Sequence, residues 1–271
     1  MPSPNRTWEM ISTFGRQSDR WPIDLMPSNM RKYCLYEDFS TLPDATQANL
    51  KDQHFDVTPA VNGTGTPTVA FLDRGGIVIG TSAADAGADN DGAVLFPLTS
   101  SRWGVKTSNG WRAVADKKLR LETVIRTGAS IANYAIIFGL KLTNTEVYKT
   151  DDDQVLFVFD TDAVDIDTGL AGMGVDVAAG MTTWYTVCSV GGVDGSANLG
   201  VTVAAATDYH LAIEIGTDLK ARLYINDVLV YTCETALTTA ATFVPYFGVF
   251  ERVALATKTA GIRYMAGGMT Y

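Results

Sequence analysis

Alternation is clearest at Leu119-Arg120-Leu121-Glu122-Thr123-Val124-Ile125-Arg126, where Leu119, Leu121, Thr123 and Ile125 fall on one face of a strand. Shorter strands are expected at Tyr33–Phe39, Val69–Leu72, Ile77–Ile79 and Ala93–Phe96, with Asp73-Arg74-Gly75-Gly76 closing a hairpin. Tyr134–Leu142 and Val155–Phe159 are almost continuously apolar, which fits central strands covered on both faces. Further on, Thr182–Val190, Tyr209–Ile215, Ala221–Ile225, Val228–Thr232, Phe243–Phe250 and Ile262–Met265 read as strands. Asn226-Asp227 joins two of them as a tight two-residue turn, because both residue types tolerate the left-handed backbone it needs. A short helix is expected between Asp44 and Gln53, and no helix-length pattern follows. The count is about 12–15 short strands with turn signals between them, an all-β antiparallel sandwich.

Residues 1–34 stand apart. They hold Pro2, Pro4, Pro22 and Pro27, show no sustained period, and intersperse Trp8, Phe14 and Trp21 with polar residues. Large aromatics are costly to leave in water, so the segment reads as an extended arm. It lies either on another surface or back on its own domain. Residues 35–271 form the sandwich.

Composition sharpens this picture. Asp outnumbers Glu by 23 to 7, and Lys numbers 9 against 12 Arg, so helix-surface residues are scarce and turn-formers abundant. The net charge of −9 argues against nucleic-acid binding, since no excess of cations is present to neutralise phosphates. No apolar run reaches membrane-span length, and the first residues lack the apolar core of a secretion signal. Cys34, Cys188 and Cys233 are odd in number and widely spaced, so buried free thiols are expected and at most one bridge can form.

Four segments carry a resemblance. Tyr209-His210-Leu211-Ala212-Ile213-Glu214-Ile215 and Ala221-Arg222-Leu223-Tyr224-Ile225-Asn226-Asp227-Val228-Leu229-Val230 resemble the late hairpin of concanavalin A-like and laminin G-like jelly rolls. Glu37-Asp38-Phe39 is similar to their opening strand and Gly261–Met265 to their last. The resemblance implies a two-sheet antiparallel jelly roll, a fold that hosts lectins, glycosidases, adhesion modules and virion proteins.

The chemistry of those relatives is tested residue by residue. Their glycosidases carry Glu-x-Asp-x-Glu on one strand; no such triplet occurs here, and Glu122 and Glu214 stand without sequence partners, so the expectation is a non-enzyme. Val158-Phe159-Asp160-Thr161 resembles the metal-holding Glu-Phe-Asp-Thr of legume lectins, with Val158 in place of the glutamate. Asp160, Asp162, Asp165 and Asp167 remain as a candidate calcium set, because calcium takes several carboxylate oxygens from one loop. Asp89-Asn90-Asp91-Gly92 is a poorer copy of the same idea. Beyond this calcium no cofactor is expected. His54 and His210 lie far apart without ligand spacing, and a structural role is expected for His210. Trp103, Trp111, Trp184 and Tyr185 are either core or a sugar-stacking platform.

Jelly rolls with aromatic-bearing arms resemble tailed-bacteriophage structural proteins that decorate or cement the head. The resemblance implies a virion protein made in the host cytoplasm, a homotrimer, with the major capsid protein or other virion proteins as partners. Trp8, Phe14 and Trp21 would anchor its arm; neither nucleic acid nor membrane is a partner. The alternatives are a lectin-like glycan-binding module of a tail fibre or adhesin, and a polysaccharide-degrading enzyme if distant acids converge on one sheet face.

Overall fold

The computed structural model describes residues 32–39, 54–59, 66–73, 75–81, 92–97, 111–143, 151–161, 180–252 and 257–270. The expected helix before Gln53 and the arm anchors Trp8, Phe14 and Trp21 lie outside these residues, as do Trp103, Asp162, Asp165 and Asp167.

In chain order the strands are β1 (Lys32–Glu37), β2 (Phe55–Pro59), β3 (Thr68–Phe71), β4 (Ile77–Gly80) and β5 (Gly92–Pro97). Next come β6 (Leu119–Arg126), β7 (Tyr134–Lys141), β8 (Gln154–Asp160), β9 (Thr183–Val190) and β10 (Val193–Thr202). The last are β11 (Asp208–Ile215), β12 (Ala221–Ile225), β13 (Val228–Thr232), β14 (Val244–Glu251) and β15 (Thr259–Thr270). They form two antiparallel sheets. The eight-stranded sheet runs β13-β12-β11-β6-β15-β4-β3, with β1 also paired to β15; the seven-stranded sheet runs β10-β9-β8-β7-β14-β5-β2.

Residues directly opposite in an antiparallel pair share a face. The pairs Phe138↔Phe157 and Ile136↔Phe159 therefore set one face of the seven-stranded sheet, and Trp184 joins it with its ring 6.1 Å from Phe159. Trp184 crosses the interior to meet Tyr209 of β11 edge-on at 5.7 Å. Leu211, Ile213, Leu121 and Ile125 line the opposing side, all fully buried. Trp111 packs so closely on β15 that a Cβ on Gly267 would overlap its ring.

Every residue of β7, β8 and β14 is buried, as the unbroken apolar runs predict for central strands. On β6 and β11 buried residues alternate with half-buried ones along most of the strand. The Asn226-Asp227 turn has φ of 50° and 66°, the left-handed pair a tight hairpin requires. Two strands escape the sequence pattern. β2 carries Asp56 and ends in Pro59, and β10 mixes Gly195, Ser196, Asn198 and Gly200 with a register shift between Asn198 and Thr202. Both are sheet edges, where packing does not enforce alternation.

The thiol expectation is corrected. Cys188 on β9 and Cys233, just after β13, are joined in a disulfide with Cα atoms 6.5 Å apart. Cys188 belongs to the seven-stranded sheet and Cys233 directly follows an edge strand of the other, so the bond ties the two sheets together. Spacing along the chain did not reveal this, because the sandwich brings together residues 45 positions apart.

Candidate site on the outer face of the eight-stranded sheet

With Leu119, Leu121 and Ile125 directed into the core, β6 presents Arg120, Glu122 and Arg126 outward. Register then assembles one cross-strand row from Tyr36↔Ala266, Ala266↔Glu122, Glu122↔Ala212, Ala212↔Tyr224 and Tyr224↔Leu229. The row beside it holds Gly268, Arg120, Glu214 and Arg222. Ala266, Gly268 and Ala212 are buried and small, and they form the floor from which Arg120 and Glu122 rise.

Arg120 is the centre of the cluster. Its Nε donates to Glu122 Oε2 at 2.8 Å, its Nη1 lies 3.8 Å from Glu214 Oε2, and its guanidinium sits 5.6 Å from the centroid of the Tyr224 ring. Only 4% of the Arg120 side chain is exposed, so these charges are set in a partly dry environment where pairing matters. His210 extends the cluster: Nδ1 is 3.1 Å from Asp227 Oδ1 and Nε2 is 4.0 Å from Glu122 Oε2. The hairpin tip that carries Asp227 is docked on β11, with Asn226 N donating to the His210 carbonyl at 2.7 Å and His210 N to Asn226 Oδ1 at 3.0 Å. Nε2 of His210 is buried and makes no hydrogen bond.

Other charged groups on this sheet are structural ties. Asp208 accepts from Arg126 at 3.2 Å and from Arg263 at 2.9 Å, joining β6, β11 and β15. Hydrogen bonds from Arg222 hold the Asp218 carboxyl below the usual range, at about 2. On the far sheet, burial pushes the Tyr134 phenol well up, and its hydroxyl donates to the Thr259 carbonyl at 2.8 Å.

Among the sequence-derived candidates, Trp111 and Trp184 are core, and Tyr185 is half-buried with its hydroxyl accepting from Asn198. His54 pairs with Glu37 at 2.8 Å. Asp160 is fully buried, and both its oxygens accept from Arg252, Nε and Nη2 each at 3.0 Å. The guanidinium also lies 5.4 Å from the Phe250 ring. A divalent ion at Asp160 would have to displace this fork, and the Val158 side chain supplies no oxygen, so the described side chains do not fit the implied calcium. Among the described residues no group of three or more His, Cys, Asp or Glu could hold a metal.

Glu122, Glu214 and His210, which stand without partners in the sequence, are brought together by register. Period two on β6 and β11 already places each on a polar face; the pairing of those strands is what the sequence does not state.

No protein-family description and no curated protein matches the chain. Among solved structures, a protein of unknown function from Shewanella oneidensis MR-1 aligns over 100% of this chain and 95% of its own, at 10% identity and a TM-score of 0.56. The potassium-bound carbohydrate recognition domain of Emp46p aligns over 78% of this chain and 87% of its own, at 10% identity and 0.47. A β-glucanase of Bacillus licheniformis aligns over 87% and 97%, at 10% identity and 0.49. The likeness to the Shewanella protein is one of fold, and that fold is the two-sheet, concanavalin A-like jelly-roll sandwich.

Proposed function

We propose that the chain is a non-catalytic, lectin-like module that binds a glycan on the outer face of its eight-stranded sheet. The observation that carries this reading is the Arg120–Glu122–His210 cluster on its small-residue floor, with His210 Nε2 lacking a hydrogen bond. Sugar hydroxyls both donate and accept, and the partly exposed Glu122 and His210 side chains, held by Arg120 and Asp227, offer them carboxylate and imidazole groups. The same geometry supports a binding role over cleavage. Glu122 and Glu214 both face one guanidinium, whereas a glycosidase needs one carboxyl as proton donor and a second as nucleophile or base. The cross-sheet disulfide supports work outside a reducing cytosol.

A glycan array followed by titration calorimetry tests the reading. His210→Ala and Glu122→Gln are each expected to weaken binding at least about tenfold, the equivalent of losing one good hydrogen bond to a charged group, and His210→Ala to do so with a melting temperature near that of the unmodified chain. An array without a specific hit overturns it.

The second reading is a virion structural protein that works by assembly, such as a head decoration protein. It is favoured by the large apolar residues that the eight-stranded sheet exposes at its two ends, Phe71 on β3 and Val228 and Leu229 on β13.

A further inference from the structure

β11 and β12 pair as far as Leu211↔Ile225, and His210 lies one residue beyond that last pair. Its main-chain groups on this side are taken by Asn226, which donates its N–H to the His210 carbonyl at 2.7 Å and accepts the His210 N–H on Oδ1 at 3.0 Å. The next residue, Asp227, sets Oδ1 3.1 Å from the ring at Nδ1. Both tip residues hold a left-handed backbone, which Asn and Asp adopt at the least cost after glycine. Two consecutive residues of the hairpin therefore grip one histidine, by its main chain and by its ring.

We propose, resting on the glycan-binding reading above, that Asn226 and Asp227 are positioning residues for His210: the hairpin tip fixes the direction of the ring and keeps its hydrogen on Nδ1. A carboxylate only accepts, so a ring nitrogen 3.1 Å from Asp227 Oδ1 carries the hydrogen. The opposite tautomer would put the hydrogen on Nε2, 4.0 Å from Glu122 Oε2 and beyond hydrogen-bond reach, and would set the Nδ1 lone pair against the Asp227 carboxylate. Those two distances decide between the tautomers. A neutral histidine without such a partner favours hydrogen on Nε2, so the tip reverses the preference of the free ring. Glu122 is held separately, by Arg120 Nε at 2.8 Å. The two groups assigned to the glycan are thus anchored by different elements, Glu122 from within β6 and His210 from the hairpin tip. The Asp227 side chain is 43% exposed, so it can be changed without opening the core.

Ring nitrogen-15 NMR without any glycan, in alkaline buffer where the imidazoles are neutral, is the primary test. The chain has two histidines, and His54→Gln identifies the His210 signals. The unmodified chain is expected to show Nδ1–H at His210. Asp227→Ala should shift the ring toward Nε2–H, whereas Asp227→Asn, whose Oδ1 still accepts, should keep Nδ1–H. Calorimetry with the oligosaccharide that binds most tightly on the array reads the consequence. Asp227→Ala is expected to weaken binding in the same direction as His210→Ala, and Asp227→Asn to stay within about twofold of the unmodified chain. Adding Asp227→Ala to His210→Ala should cost nothing further, because the aspartate acts through the ring. A tip that is merely structural would lower the melting temperature and leave the tautomer in place. Hydrogen on Nε2 in the unmodified chain, a tautomer that Asp227→Ala does not move, or a double variant that loses the sum of both effects overturns the proposal. An array without a specific hit overturns the lectin reading instead, and the NMR result still decides whether the tip sets the ring.

Discussion

The outer faces of the two sheets put opposite demands on the same alternating backbone. In the seven-stranded sheet β7, β8 and β14 are buried on both sides, and the charge at the end of β8, Asp160, is matched by a guanidinium with equally little exposure. In the eight-stranded sheet β6, β11 and β12 bury one side and hold Arg120, Glu122, Glu214 and His210 on the other. The first arrangement uses an ion pair to complete an interior, while the second keeps Glu122, Glu214 and His210 each partly exposed to solvent. That difference separates the scaffold from the site proposed above.

The sharpest way to break the comparison is to remove one member of the buried pair. Asp160→Ala takes both carboxylate acceptors away from the buried Arg252 fork, and the expected loss is about 3–5 kcal/mol in urea unfolding. If the loss is no larger than for a surface carboxylate, the two faces are not different in kind. Severing the link between the sheets comes next. The Cys188→Ser, Cys233→Ser double variant frees a loop spanning 45 positions and is expected to cost about 2–4 kcal/mol, read in the same assay. The smallest effect belongs to the exposed rim. The Asp218 carboxyl is lowered in the folded chain from 3.8 to about 2, so its stabilisation is present above 3.8 and fades as pH falls through 2. Because the pair is solvent-screened, Asp218→Asn should change stability at neutral pH by less than about 0.5 kcal/mol.

The sequence was most informative where packing imposes a period. The alternation of Leu119–Arg126, the apolar runs of β7 and β8 and the Asn226-Asp227 turn each reflect a local demand, and each is where the sequence places it. β15 runs from Thr259 to Thr270, longer than the Ile262–Met265 core expected, because Gly261, Gly267 and Gly268 weaken the apolar signal of a strand held between neighbours. β2 and β10 were hidden because an edge strand needs no alternation. The site was half visible: Arg120 and Glu122 share a polar face by period alone, but that Ala212 faces Glu122 and Tyr224 faces Ala212 follows from pairings remote in the chain. Remote pairings also hid the disulfide, which no Cys-x-x-Cys spacing announces.

The pairing of Lys32 with Thr270 has a consequence for connectivity. The strand that opens the sandwich and the strand that closes it are antiparallel neighbours, so the chain enters and leaves at almost one point. A domain built this way hangs from its attachment like a bead on a doubled thread. It can be grafted into a surface loop of a host protein without prising the host apart, and a pull on both tails would unzip β1 from β15 one pair at a time before load reached the cross-linked core.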